Sequence, residues 1–284
     1  DARYSVIRYL ASDVQNASGP HVHDPRTGQI LESDIQWYHN VMNLLRNWFF
    51  IQTAAVNPDA RGVEFPDEVM GELIRFVSAH EVGHTIGLQH NMQSSATYTV
   101  EQLRTRFVCE FGVAPSIMDY ARFNYVAQPG DDTCLMPKVG PYDLFAIEWG
   151  YGHFAGDVDA EKAAANAFVA EMQDNPIYRF SSPDGQDPYS QTEAIGDDPM
   201  RAGEFGIANL QRIVDALPEW SYQEGEDYDQ LEELYNNVAG QWNRYTGHVL
   251  TVVGGVIQTR KRQGQDGRVF EAVDAGMQER AVAY

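Results

Sequence analysis

The stretch from His80 to Asn91, HEVGHTIGLQHN, restricts what this chain can be more than any other. His80 and His84 are four residues apart, so on an α-helix of about 3.6 residues per turn their imidazoles leave one face, one above the other. That spacing suits two ligands of a single metal. Glu81 is rotated by about 100° from His80, close enough to reach a water on the metal without taking a coordination position. It is placed to act as a base. Gly87, three residues after His84, is free to adopt positive φ, end the helix and turn the chain back, which brings His90 round as a third ligand. Three neutral imidazoles suit Zn²⁺ and leave its fourth tetrahedral position to water, the pattern of a catalytic site. The competing account is an amphipathic helix that merely carries several histidines. The match of residue type at every one of these positions speaks against it.

The extended signature HExxHxxGxxH goes, in metzincins, with a second element, a turn containing methionine. Ser116-Ile117-Met118-Asp119-Tyr120 supplies one. The chain therefore resembles the metzincin zinc peptidases. The resemblance implies His80, His84 and His90 as metal ligands, Glu81 as general base, and Met118 as an apolar floor beneath the imidazoles. The SIMDY form is similar to the astacin and pappalysin branches, and the astacin likeness implies that Tyr120 approaches the metal and assists the oxyanion. A buried tyrosine hydrogen-bonded within the turn is the plainer account of the same residue. In this family the segment after the turn lines the pocket for the residue following the scissile bond. That points to Ala121 to Val139, with Phe123, Tyr125 and Val126 as walls. Pro141 to Tyr151 resembles the closing helix of matrixin-like domains, Asp143, Ala146 and Ile147 matching. Asp143 then either anchors the turn or is simply an acidic residue at a helix N-terminus. A glutamate ligand of gluzincin type, Glu101 or Glu110 by distance, is superfluous with His90 in place.

A chain of 284 residues, 43% hydrophobic, can form one large domain or two ordinary ones. It has no run of about 18 apolar residues, so no membrane span is expected. Beginning at Asp1 rather than with Met and a signal peptide, it reads as a fragment or mature product. The net charge of −21 argues against nucleic acid and anionic membranes as partners and points to a solvated acidic surface. Cys109 and Cys134 lie on either side of the methionine turn without forming a CxxC pair. They either make a disulfide bracing that loop or stay as two buried thiols, and both remain open.

In chain order, Arg3 to Leu10 alternates as a strand with apolar residues on both faces, the mark of a strand interior to a sheet. Asp13 to Gly28 reads as a loop rich in Gly, Pro, Asn and Asp. Within it His21 and His23 share a face if extended, and a rim position is the better reading because no carboxylate or Cys completes a separate site. Gln29 to Ile35 follows as a second strand, and the family resemblance makes it the candidate edge for extended substrate. Asp34 to Val56 has helical spacing. Asp67 caps a long helix in which Met70, Leu73, Phe76, Val77 and His80 recur on one face, so the metal face continues the core face. Thr99 to Phe111 reads as another helix.

The metzincin resemblance covers residues 1–152 and implies an α+β catalytic domain. Against that resemblance the domain is expected to be N-terminally incomplete, since only two clear strands are read and the other expected pieces would lie upstream of Asp1. Residues 153–284 read as a mainly α-helical region. Asp157 to Gln173 is an Ala-rich helix and Asp174 to Asp198 a long loop, while Phe205 to Leu217 and Asp227 to Val252 are helical patterns, the last striped by Tyr228, Leu231, Leu234, Tyr235 and Val238. Asp184, Asp187, Asp197 and Asp198 are candidate Ca²⁺ ligands, against the simpler reading of a solvated acidic loop. NYVAQPGD, GIANL and VVGGV make the whole chain similar to large bacterial zinc-dependent metalloproteases with a helical C-terminal region, which are exported to the cell envelope.

These readings converge on a zinc metalloendopeptidase acting on protein or peptide, in the periplasm, envelope or outside the cell. The alternative from another class is a catalytically silent zinc-containing surface module that binds protein or glycan. An intact Glu81 speaks against it, because a module that only binds has no need of a base there.

Overall fold

The structure is a computed structural model that describes residues 3–172 and 174–284. It is mixed α+β. Strand β1 (Val6–Leu10) runs parallel to β4 (Ile30–Tyr38), with Val6 opposite Asp34 and Leu10 opposite Tyr38. On the other side of β4 lie two short antiparallel pieces, β2 (Ala17–Ser18) and β3 (His21–His23), with an irregularity between Val22 and His23. The stretch expected to be a loop thus contains two strands. Their few residues carry no alternation of their own, and pairing to β4 is what extends them.

Three further expectations change here. β1 is an edge strand among the described residues and is largely exposed, Ile7 at 66%, so it is not interior to the sheet. β4 continues three residues past Ile35, because Ser33, Ile35 and Trp37 alternate into the core while β1 pairs as far as Tyr38. Being flanked on both sides, β4 is not the edge. That place belongs to the β2–β3 strap.

The helix expected over Asp34 to Val56 starts only at Val41, because Asp34 to Tyr38 pair with β1 as part of β4; α1 (Val41–Thr53) packs Leu45, Phe49 and Phe50 beneath the sheet. Helix α2 (Asp67–Thr85) lies against it and buries Leu73, Phe76, Val77 and His80, the expected stripe. Asp67 is its first residue rather than its cap; with Glu68 it places negative charge at the helix N-terminus. The expected helix over Thr99 to Phe111 is two short ones, α3 (Val100–Leu103), opened by a Thr99–Gln102 capping box, and α4 (Phe107–Phe111). A disulfide joins Cys109 in α4 to Cys134, tying down the segment that follows the methionine turn.

Past α5 (Pro141–Tyr151) come α6 (Val158–Met172), α7 (Pro199–Trp220) and α8 (Asp229–Leu250), then the hairpin β5 (Val256–Gln258) and β6 (Phe270–Ala272), and α9 (Ala275–Ala283). Gln173, the expected end of α6, lies outside the described residues. The expected stripe on α8 is rotated: Tyr228 and Tyr235 are exposed, and Leu234, Val238, Gln241, Tyr245, His248 and Val249 face inward. α7 and α8 close the molecule from below, and one core runs across residue 152, uniting Phe50, Phe76 and Phe123 with Leu210, Ile213, Leu234 and Tyr245. Phe123 is its hinge, edge-on to Phe49 at 4.9 Å and to Phe76 at 5.7 Å between ring centroids.

Candidate metal centre

Helix α2 carries His80 and His84 to its C-terminal end and stops in a Schellman turn. Gly87 takes φ +94°, Gly87 N–H donates to His84 O at 3.0 Å, and Leu88 N–H donates to Gly83 O at 3.0 Å. The reversal carries His90 back over the helix end. Asn91, fully buried, then pins the chain: its amide donates to Arg179 O at 2.8 Å, and its side-chain oxygen accepts from Ser181 N–H at 3.0 Å. Asn91 stands next to the third histidine in sequence, but its partners are some ninety residues away (|i−j| = 88 and 90), so sequence reading missed it.

The three imidazoles converge. His80 Nδ1 donates to Ile117 O at 2.8 Å and His84 Nδ1 to Leu88 O at 2.9 Å, which fixes the proton on Nδ1 and turns the Nε2 lone pairs inward. Nε2 of His90 lies 3.2 Å from that of His80 and 2.9 Å from that of His84. Tetrahedral ligation at Zn–N of about 2.0–2.1 Å would set the nitrogens about 3.3 Å apart, so the donor set fits zinc. Burial, reinforced by the neighbouring imidazoles, holds His80 down to about 3 and His90 down to about 4; burial also lowers His84. All three are neutral at pH 7, the form that ligates. Among the described residues no other group of His, Cys, Asp or Glu converges this way.

The candidate Ca²⁺ carboxylates do not converge. Asp187 is fully buried and accepts from Tyr189 N–H and Gln258 N–H; Asp198 caps α7 and pairs with Arg280; Asp197 accepts from Val100 N–H; Asp184 accepts from Gln186 N–H. Each is consumed by backbone or arginine. His21 and His23 stay on the rim, where His21 Nδ1 bonds to His84 O at 3.1 Å.

Glu81 is 6% exposed, with one carboxylate oxygen lacking a hydrogen-bond partner. Burial raises its pKa to about 7, against the opposing bond from the Gly19 amide. Gly19 joins β2 to β3 and leaves no room for a side chain, since a Cβ there would stand 2.3 Å from Glu81 O. The strap therefore lies directly on the helix that carries His80 and His84. The Tyr120 ring centroid is 4.4 Å from that of His90 and 5.5 Å from that of His80. Burial and nearby Glu81 raise its phenol, which stays protonated and able to donate.

Below the histidines, Met118 is wholly buried against Gly83, where a Cβ would meet its sulfur at 2.3 Å. Asp143 holds this turn: it accepts from Ser116 Oγ–H at 2.5 Å, Ile117 N–H at 2.7 Å and Gly140 N–H at 2.8 Å. Because Ile117 O in turn receives the His80 proton, α5 orients a histidine through two hydrogen bonds.

A cavity of about 270 Å³ opens beside His80 and Glu81, walled by Val41, Leu44, Trp48, Phe76 and Val77, with Tyr120 and Arg122 at its border. Phe123, Tyr125 and Val126, expected as pocket walls, are instead in the core at 0%, 2% and 0% exposure. Arg122 takes their place. It sits over the Trp48 ring at 3.1 Å and pairs with buried Glu193 at 2.8 Å, which also binds Arg244 at 3.2 Å. Burial pushes Arg122 down to about 10, still cationic at neutral pH. An arginine inside the apolar run after Tyr120 was the only sequence signal.

An HExxH helix, a third histidine beyond a glycine turn and a buried methionine beneath them define the zincin class of metal sites. The Met-zincin family model matches residues 62–284, and the chain belongs to that family. Comparison with curated proteins and with solved structures gave no match.

Proposed function

We propose that this protein is a zinc-dependent peptidase that hydrolyses peptide bonds, with His80, His84 and His90 as its ligands. The observation that carries the reading is Glu81: a buried carboxylate with one unsatisfied oxygen beside three convergent, neutral imidazoles. Zinc held there would supply Lewis acidity toward a water and a peptide carbonyl. Glu81, with its pKa near 7, takes a proton from the attacking water and returns it to the leaving amine; a base poised at working pH does both with little loss. Tyr120 donates its hydroxyl proton toward the developing oxyanion. Met118 and the apolar wall keep bulk water away.

Extended substrate would pair with the β2–β3 strap, which is bonded to β4 on one side and lies over Glu81. The Cys109–Cys134 bridge favours an oxidising compartment, so the proposed location is outside the cytoplasm. Among the described residues no helix is long and apolar enough to cross a membrane.

The test is a peptide library digested by the zinc-loaded chain and by Glu81→Gln, with products identified by mass spectrometry. The wild type should cut, and the variant should keep its zinc yet lose about 10²-fold or more of the rate. Undiminished cleavage by Glu81→Gln would refute the role of Glu81.

A further inference from the structure

Arg122 is a buried charge beside the site that is only partly satisfied. Its side chain is 12% exposed, and one terminal nitrogen is paired to Glu193 while the other is buried without a hydrogen-bond partner. A guanidinium left with an open, buried N–H is costly unless something accepts from it. The charge count points the same way. Glu193, 6% exposed at its side chain, is shared by two arginines, Arg122 and Arg244, so the trio keeps one positive charge in excess. Arg244 is 43% exposed and meets solvent; Arg122 borders the cavity that begins at His80 and Glu81. Trp48 beneath it prevents the planar group from folding away. Besides its apolar wall the cavity is lined by Gln15, Asn16, His80, Glu81 and Tyr120, yet none of them is hydrogen-bonded to the open Arg122 nitrogen.

We infer that Arg122 is a specificity residue that accepts a carboxylate carried by the substrate residue next to the scissile bond. This rests on the peptidase reading. A carboxylate offers oxygens in the plane of the guanidinium fork and brings the missing negative charge; a neutral amide of the same shape brings neither. The cavity has room for an aspartate or glutamate side chain, and equally for the α-carboxylate of a terminal residue. The chemistry is common to both sources.

The experiment has two arms on the full chain. In the first, the zinc-loaded protein digests paired libraries with free and amidated C-termini, and the residues flanking each cut are counted. Enrichment of Asp and Glu at one flanking position in both libraries identifies a side-chain carboxylate; cleavage confined to the last bond of free-ended peptides identifies a terminal one. Absence of both among observed cuts overturns the inference. In the second arm, acetyl-aspartyl amide and acetyl-asparaginyl amide are titrated calorimetrically into wild type and Arg122→Met. The wild type should prefer the acid by about tenfold or more, and the variant should lose that ratio. Should Arg122→Met not fold, Arg122→Lys, which keeps the charge but not the fork, should show a reduced ratio. Equal binding of both ligands to the wild type, or an unchanged ratio in the variant, overturns it. If no peptide is cut at all, the peptidase reading fails, and the titration still decides Arg122.

Discussion

At Gly83 the backbone of α2 has no space for a methyl group, because Met118 sulfur occupies it from below. An alanine in a helix is ordinarily worth about 1 kcal/mol over glycine, whereas overpacking a filled core costs about 1–3 kcal/mol. Met118 is wholly buried and cannot swing aside, so the second effect should win. Gly83→Ala should lower the melting temperature and weaken zinc binding, since the displaced turn also carries Ile117 O, the partner of His80. Gly71→Ala, in the same helix with nothing within 4 Å, is the control and should be neutral or stabilising. A rise in melting temperature for Gly83→Ala equal to that of Gly71→Ala would contradict this packing. At this scale the convergence of His80, His84 and His90 beside Glu81 was legible because their relation is local, set by helix pitch and one glycine. Gly19, Asn91, Arg122 and Glu193 were not, because what makes each matter is a partner at least 60 residues away.

Legibility among the elements follows the same division. α2 and α5 follow from their periodicity or likeness and α8 to within two residues at either end, whereas α1 begins at Val41 rather than Asp34 and α7 already at Pro199 rather than Phe205. β2 and β3 were read as loop, since strands of two and three residues exist only through β4. The inward stripe of α8 was misplaced because aromatic residues at Tyr228 and Tyr235 look like core in sequence, yet their side chains cover the surface. The sequence left open whether Cys109 and Cys134 pair or stay as two buried thiols, and the structure joins them. The bridge closes a loop of separation 25, for which chain entropy suggests about 3 kcal/mol of stabilisation, and it fixes the segment leading from the cavity wall to α5.

For the molecule as a whole, buried histidines lower stability toward acid. His248 on α8 donates Nε2–H to Thr192 O at 2.9 Å, and burial lowers its pKa to about 4, aided by Arg244 and opposed by that bond. The unfolded chain protonates this residue near 6.5, the folded one only near 4. As pH falls from 6.5 to 4 the unfolded state therefore gains a proton that the folded state refuses, and stability drops. The drop is at most about 1.4 kcal/mol per pH unit, about 3 kcal/mol over the window. His80, His84 and His90 act in the same direction in zinc-free protein, whereas Asp119 and Asp143, raised by burial, act in the opposite one. Comparing zinc-free wild type with His248→Gln cancels those shared contributions. In urea unfolding at pH 7.0, 5.5 and 4.5 the variant should lose stability less steeply toward acid, and parallel slopes would contradict the account.

The continuity of the core from sheet to α8 means that the metal site is supported by the whole chain, and its occupancy is the central claim. The most direct measurement is the zinc K-edge absorption spectrum of the purified chain, together with its zinc content. One zinc per chain, with three imidazole nitrogens at about 2.0–2.1 Å and a light atom completing the shell, is the expected result, lost in His90→Ala. A chain that binds no zinc when it is supplied, or a shell of carboxylates in which His90→Ala changes nothing, would contradict it.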